Sequence, residues 1–243
     1  MTKKMNRREL IQKTLAGFGA LSLPISLTAC GDDADSNTQP NTQVQFLHGV
    51  ASGDPLQTQI IIWTRVTPTD SSARLEVQWE VAKDVDFKHI TATGKVLTTA
   101  AQDFTVKVDV TGLAAGQVYF YRFKSASKYS ITGQTKTLAT QVQSVQFAVC
   151  SCSNYPAGYF HVYKEMAKQD VDVDVVIHLG DYIYEYGMGG YATEEAVAMG
   201  RALADDNNTE IIRLDDYRKR YALYRLDADL QAAHQRHPFI VVW

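Results

Sequence analysis

Apolar and polar residues alternate along much of the chain between residues 44 and 140. From position 75 the apolar side chains are Leu75, Val77, Trp79 and Val81, and from position 104 they are Phe104, Val106, Val108 and Val110. A period of two is typical of a strand with one buried face. Segments rich in Gly, Pro, Asp and Ser separate these runs, as turns between short strands do. The pattern predicts a β-sandwich over residues 44–140.

The segment from Leu113 to Tyr119 adds detail to this sandwich. It resembles the corner of a fibronectin type III-like domain, in which a tyrosine closes the turn. The resemblance implies a fibronectin- or immunoglobulin-like sandwich that serves as scaffold or as the rim of a substrate site.

From about residue 144 the hydrophobic period changes. Residues 145–150 and 174–179 are short apolar runs, and the segment between them has apolar positions spaced for one helix face. A strand, a helix and a strand of these lengths form a βαβ unit with parallel strands. The pattern also predicts helices over 193–204, 209–226 and 229–237, and a third strand from residue 239. We therefore expect residues 144–243 to form part of an α/β domain.

The first 30 residues have the composition of an export signal. A basic stretch, a short apolar run and small residues follow one another in that order. Arg7 and Arg8 resemble a twin-arginine signal, which implies that the twin-arginine export machinery is a partner. The residues before Cys30 resemble a lipoprotein processing box, so Cys30 is the expected site of lipidation. Residues 31–43 are polar and suit a flexible tether. We expect an exported lipoprotein, periplasmic or at the cell surface, that is held to the membrane by its lipid anchor.

Composition and charge exclude one class of partner. The 243 residues carry a formal net charge of −3, so nothing indicates a nucleic-acid-binding surface. Cys150 and Cys152 would lie in an oxidising compartment, but a disulfide across one intervening residue has unfavourable geometry. At least one of these thiols is therefore free for another use.

Side chains that can bind metals follow both predicted parallel strands. They are Cys152 after the first strand, and Asp181, Tyr182, Tyr184 and Glu185 after the second. The carboxyl ends of parallel strands meet at one edge of a sheet, where ligands bind. Thiolate, carboxylate and phenolate are strong anionic donors that suit a cation such as Fe³⁺. The alternative, a capping Asp181 beside tyrosines of the core, fits the spacing almost as well.

Other polar residues receive structural interpretations. His178 lies inside an apolar run and is read as a core histidine, and His234 and His237 flank a helix end. Residues 214–221, with the sequence LDDYRKRY, are interpreted as a solvated helix face.

Four blocks of sequence, in this order, resemble the PhoD-type alkaline phosphatase family. They are residues 48–55 (HGVASGDP), 147–163 (FAVCSCSNYPAGYFHVY), 178–187 (HLGDYIYEYG) and 237–243 (HPFIVVW). The resemblance implies a β-sandwich followed by a metallophosphoesterase-like α/β domain. It also implies that Cys152 and Tyr184 bind Fe³⁺, that Asp181 bridges the metals, and that Ca²⁺ is a second cofactor. The implied reaction is hydrolysis of a phosphate monoester or diester by metal-activated hydroxide.

Three further expectations accompany this resemblance. Trp243 closes an apolar run, so we interpret the chain as the N-terminal part of a longer protein that holds the remaining ligands. On that interpretation the 243-residue chain by itself binds metal weakly and is catalytically inactive. The alternatives are a purple acid phosphatase, which would have Asp in place of Cys152, and a non-catalytic, surface-anchored β-sandwich binding protein.

Overall fold

The computed structural model describes residues 42–168, 170 and 172–242. Arg7, Arg8, Cys30 and residues 31–41 lie outside this part, so the export signal, the lipidation site and most of the tether remain predictions. None of the described helices combines the length and apolar content that a membrane crossing requires.

β-Sheet predominates among the described residues. Their strands are β1 (Val44–Gln45), β2 (Val50–Gly53), β3 (Gln59–Arg65), β4 (Thr67–Pro68), β5 (Leu75–Ala82), β6 (Ile90–Thr98), β7 (Thr105–Thr111), β8 (Val118–Ser125), β9 (Lys128–Tyr129), β10 (Gly133–Lys136), β11 (Phe147–Cys150), β12 (Val175–His178) and β13 (Pro238–Val241). Their α-helices are α1 (His161–Met166), α2 (Leu214–Tyr224) and α3 (Ala228–Arg236). Short 3₁₀ helices cover Ala100–Gln102, Tyr155–Ala157 and Asp205–Asn207.

The period of two predicts the buried faces of β5 and β7. Val77, Val81 and Val106 are fully buried, and Trp79 packs against the same core. These side chains fill the space between a five-stranded sheet, in which β10, β8, β5 and β6 are neighbours and β9 pairs with β8, and part of a six-stranded sheet. Burying apolar area of this kind contributes roughly 25 cal/mol per Å² to stability.

The corner at Tyr119 forms a side-chain to backbone hydrogen bond. The Ala114 N–H donates to the Tyr119 hydroxyl at 2.9 Å, and Tyr119 is fully buried. The Thr137 hydroxyl donates to the Ala114 carbonyl at 2.7 Å. The tyrosine therefore closes the turn before β8, as the sequence of this segment predicts.

The six-stranded sheet crosses the boundary predicted near residue 140. Its order is β11-β12-β13-β2-β3-β7. The strands from β11 to β2 pair in parallel, and β3 and β7 continue the sheet antiparallel. The described residues form one compact unit. The division into a sandwich domain and an α/β domain remains a prediction, because β2 belongs to both parts of this sheet.

The βαβ unit is confirmed. β11 and β12 pair in parallel with α1 between them in sequence, and β13 pairs in parallel with β12. A second hydrophobic cluster, which includes Phe160, Tyr163, Val176, Tyr224 and Phe239, packs the helices against these strands.

The helix predicted over residues 193–204 is wrong. This segment makes turns that end at Gly200, whose φ of +67° is left-handed. The Arg201 N–H then donates to the Ala196 carbonyl at 2.7 Å, a bond that closes many helix ends. Arg201 is pulled inward by Asp227, whose carboxylate accepts from its Nη1 at 2.7 Å. The spacing of apolar residues along the sequence does not reveal this ion pair between distant residues.

Candidate metal centre

The structure brings Cys152, Asp181 and Tyr184 together. The Cys152 thiol donates to Asp181 Oδ2 at 3.7 Å, and the Tyr184 hydroxyl donates to the same oxygen at 3.3 Å. A sulfur, a carboxylate and a phenol therefore meet at one atom. They lie beyond the carboxyl ends of the paired strands β11 and β12, as the sequence predicts.

The backbone at both strand ends is held in an unusual conformation. Cys152 and Asp181 have φ values of +61° and +52°, and Gly180 has +127°. Left-handed backbone at a residue other than glycine costs about 1–3 kcal/mol and persists where surrounding bonds enforce it. Here the Cys152 N–H donates to the Gly180 carbonyl at 3.1 Å, and the Ser153 N–H donates to the Asp181 carbonyl at 2.9 Å. The two loops thus fix each other and aim both side chains at one point.

The cluster is accessible to solvent. Cys152 and Asp181 are exposed, and Tyr184 is partly buried. Burial, the bond with Cys152 and the charge of Asp181 raise the pKa of Tyr184. The phenol is therefore neutral in the free protein, and binding a cation as phenolate would release its proton.

Two other sequence candidates lie elsewhere. Tyr182 is buried, and its hydroxyl bonds to His234 Nε2 at 2.8 Å while its ring stacks on Tyr221. Glu185 accepts a hydrogen bond from the Tyr217 hydroxyl at 3.2 Å. Both side chains are engaged by other partners, so the structure does not add them to the cluster.

A chain of buried hydrogen bonds connects the ends of β11 and β12 to α1. The Gly180 N–H donates to His178 Nδ1 at 3.4 Å, so Nε2 carries the proton and donates to Ser153 Oγ at 2.9 Å. Ser153 in turn bonds to the Tyr163 hydroxyl. His178 is fully buried, and its interpretation as a core histidine is confirmed. Cys150 packs beside this chain, and both described cysteines are free.

Arg220 anchors the loop that carries Tyr184. Its Nη1 donates to the carbonyls of Tyr184 and Tyr186 at 2.6 and 2.8 Å, and its Nη2 donates to the Asn207 carbonyl at 2.8 Å. Only 1% of Arg220 is exposed, so the interpretation of residues 214–221 as a solvated face is wrong at this position.

The spacing of residues around Arg220 in the sequence indicates that this arginine is buried, although its charge suggests that it is exposed. Tyr217, Arg220, Tyr221 and Tyr224 follow the i, i+3, i+4, i+7 spacing of one helix face. An arginine inside an aromatic stripe indicates a buried partner, and the partners are loop carbonyls.

The donor set of the cluster fits a hard or borderline cation. Carboxylate and phenolate oxygens and a thiolate are all anionic donors. Within the described ranges no group of three or more His, Cys, Asp and Glu side chains could hold a metal ion. In the cluster, Cys152 and Asp181 belong to these residue types, and the third donor is the phenol of Tyr184.

Comparison with known proteins places the two halves of the chain in one family. Residues 32–139 match the family model for the PhoD-like phosphatase N-terminal domain, and residues 147–243 match that for PhoD-like phosphatase. The chain belongs to the PhoD-like phosphatase family.

Relatives of this PhoD-like chain are longer than it is. It is 39% identical over 248 residues to alkaline phosphatase D of Bacillus subtilis (strain 168), covering 98% of this chain and 41% of that protein. A solved structure of PhoD is similar, with a TM-score of 0.72 and 41% identity over 82% of this chain and 38% of that one.

Buried histidines of this PhoD-like chain make its stability depend on pH. Burial, Arg65 and Arg225 lower the pKa of His48 from 6.5 to about 4, and burial lowers the pKa of His234. Between these values the unfolded chain binds more protons than the folded chain, so stability rises with pH. We expect the free energy of unfolding to fall as the pH is lowered from about 6.5 to 4, in urea titrations at fixed ionic strength.

Replacing His48 tests this expectation. His48→Gln should reduce the slope of this pH dependence in that window relative to the slope of the wild type. Equal slopes in the wild type and His48→Gln would show that His48 does not contribute.

Proposed function

We propose that this protein is an exported, metal-dependent hydrolase of phosphate monoesters or diesters. One observation carries the proposal: a single carboxylate oxygen of Asp181 contacts both the Cys152 thiol and the Tyr184 phenol, at 3.7 and 3.3 Å. Membership of a family of phosphatases supports the same reaction class.

Fe³⁺ and Ca²⁺ are the proposed cofactors. Cys152 and Tyr184 would hold the iron, and the Asp181 carboxylate would be a ligand shared by the cations. When bound, such cations act as Lewis acids on a phosphoryl oxygen and lower the pKa of water.

The chain's own residues would position the reacting groups. The Asp181 carboxylate accepts from both neighbours and so orders the Cys152 and Tyr184 side chains before any ligand arrives. Paired backbone bonds hold the two loops, which limits the reorganisation that binding requires. Because Cys152 and Asp181 are exposed, a phosphate ester can approach the cluster from solvent.

The location belongs to the proposal as well. Arg7 and Arg8 suit an export route that carries folded cargo, and Cys30 suits lipid attachment. A periplasmic or cell-surface lipoprotein would meet phosphate esters outside the cytoplasm.

Visible absorption tests the proposed iron ligands. Fe³⁺ bound to a phenolate or thiolate absorbs visible light, so we expect a coloured complex when the protein as its cell makes it is loaded with Fe³⁺. Tyr184→Phe should weaken or shift this band, because it removes the phenol oxygen. Tyr186→Phe is the matched control, since Tyr186 lies on the same loop and stacks on Tyr184 at 6.3 Å.

A parallel assay separates the enzyme from a binding protein. The protein as its cell makes it should hydrolyse an aryl phosphate monoester or diester in the presence of its metals. Absence of both colour and hydrolysis would contradict the proposal and favour a non-catalytic, surface-anchored β-sandwich.

A further inference from the structure

Three tyrosine rings lie together beside the candidate metal centre, on the segment that follows β12. The ring centre of Tyr184 is 6.3 Å from that of Tyr186 and 6.0 Å from that of Tyr191, and the last two centres are 5.8 Å apart. The Tyr184 hydroxyl donates to Asp181 Oδ2 at 3.3 Å. The rings of Tyr186 and Tyr191 are therefore direct neighbours of a side chain that contacts the centre.

Tyr186 and Tyr191 keep much of their surface in solvent. They are 50% and 62% exposed, whereas Tyr182 and Tyr224, which pack in the second hydrophobic cluster, are 7% and 0% exposed. The hydroxyls of Tyr186 and Tyr191 form no hydrogen bond with any described residue. Contiguous exposed apolar surface commonly marks an interaction site. Packing against each other thus leaves a large part of both rings available to a ligand.

Backbone contacts tie these two rings to both loops of the centre. Arg220 Nη1 donates to the Tyr186 carbonyl at 2.8 Å. Asn154 Nδ2 donates to the Tyr191 carbonyl at 3.4 Å, and the Asn154 N–H donates to the Cys152 carbonyl at 3.1 Å. A surface that is fixed in advance loses little conformational entropy when a ligand binds.

Aromatic rings at this position suit a flat ligand. The planes of Tyr186 and Tyr191 are inclined to that of Tyr184 by 27° and 28°. Tyrosine offers a large and rigid aromatic face, and stacking of a second ring on it adds to the gain from buried apolar area. A small alkyl group has no such face. Because the rings adjoin the centre, one ester can place its phosphoryl group at Asp181 and an attached ring on Tyr186 and Tyr191.

We propose that Tyr186 and Tyr191 form an aromatic platform that stacks on a planar aromatic group of the phosphate ester. The inference rests on the proposed function, because it specifies the substrate of the same centre. An aryl ester and a nucleotide both carry a planar ring, and this shared chemistry defines the substrate class. The platform determines specificity and takes no part in bond cleavage.

Binding of phosphonates tests the platform without hydrolysis, because a carbon–phosphorus bond replaces the ester bond. Calorimetric titration of the protein as its cell makes it compares methylphosphonate, cyclohexylphosphonate and phenylphosphonate. Phenylphosphonate should bind at least about fivefold more tightly than methylphosphonate. It should also bind more tightly than cyclohexylphosphonate, which has a ring of the same size without a planar face. Equal binding of the phenyl and cyclohexyl compounds would show that no stacking occurs.

Variants of the platform provide the second measurement. Tyr186→Ser combined with Tyr191→Ser should reduce the preference for phenylphosphonate over methylphosphonate to less than about twofold, because both aromatic faces are lost. The corresponding pair of Phe substitutions keeps the rings and should keep the preference. Tyr129→Ser is the matched control, since Tyr129 is 47% exposed on β9 of the other sheet, and it should change neither affinity. The comparison of phosphonates in the wild type remains decisive if the Ser pair does not fold.

The outcomes separate this inference from the proposed function. If phenylphosphonate has no advantage over methylphosphonate, or if the folded Ser pair keeps that advantage, while an aryl phosphate is still hydrolysed, the platform is wrong and the proposed function stands. If no phosphonate binds and no ester is hydrolysed, both are wrong. The decrease in kcat/KM that the Ser pair causes is then compared for phenyl phosphate and adenosine 5′-monophosphate. The larger decrease identifies which kind of ring the platform prefers.

Discussion

Asp181→Asn is expected to lower kcat/KM for a phosphate ester at least about 100-fold, which corresponds to about 2.7 kcal/mol of transition-state stabilisation. The substitution keeps the size of the side chain and removes its charge. Oδ2 of Asp181 is the atom on which the Cys152 thiol and the Tyr184 hydroxyl converge. An amide offers one oxygen in place of two and directs two N–H donors at groups that need an acceptor. The measurement is kcat/KM and metal content of the protein as its cell makes it.

The matching control is Asp205→Asn. Asp205 is exposed in the short helix Asp205–Asn207, so its replacement should leave both activity and metal content unchanged. Unfolding curves must agree for the two variants, because a folding defect also lowers activity. An Asp181→Asn protein that folds normally and retains wild-type kcat/KM would rule out this carboxylate as part of the catalytic centre.

Arg220→Met is expected to destabilise the protein by about 3–5 kcal/mol, a large fraction of the stability of a typical domain. Methionine fills similar space but donates nothing. The change leaves carbonyls of Tyr184, Tyr186, Asn207 and Thr209 without the donors that they now have. Unsatisfied buried carbonyls are costly, and the loop that carries Tyr184 would lose its anchor. Urea unfolding measures the loss, and the iron colour of the folded fraction reports on the loop.

The adjacent residue provides the comparison. Lys219 is also on α2, but its side chain is 49% exposed and pairs with an exposed Asp206 at 2.6 Å. Lys219→Met should therefore cost less than about 1 kcal/mol. If both substitutions had the same small effect, the carbonyl contacts of Arg220 would have no structural importance.

Local periodicity was sufficient to predict β5, β7 and the parallel strands β11 and β12, and with them the position of the site, but not the nine-residue strand β6. Alternation at β5 and β7 reports directly which face is buried, because each side chain either enters the core or does not. The βαβ pattern then places Cys152 and Asp181 at one sheet edge. The role of β2 could not be predicted in this way, since the pairing of Phe239 with Gly53 joins residues far apart in sequence and leaves no periodic trace.

Long-range polar contacts explain the other differences. Arg201 is drawn to Asp227, and this ion pair with the left-handed Gly200 ends the turns where the pattern predicts a helix. Arg220 and Arg225 look like surface charges because their partners, the carbonyls of distant loops, do not depend on residue type. A charged residue on an aromatic helix face is the local pattern that indicates a buried arginine. Of these two arginines, only Arg220 shows this pattern clearly.

The position of β2 in the middle of its sheet has a consequence for dividing this protein into pieces. Cutting the chain near residue 140 would separate β2 from β13 and expose its row of backbone donors and acceptors. Open strand edges recruit other chains. A sandwich expressed alone would therefore need a covered or redesigned edge to stay monomeric.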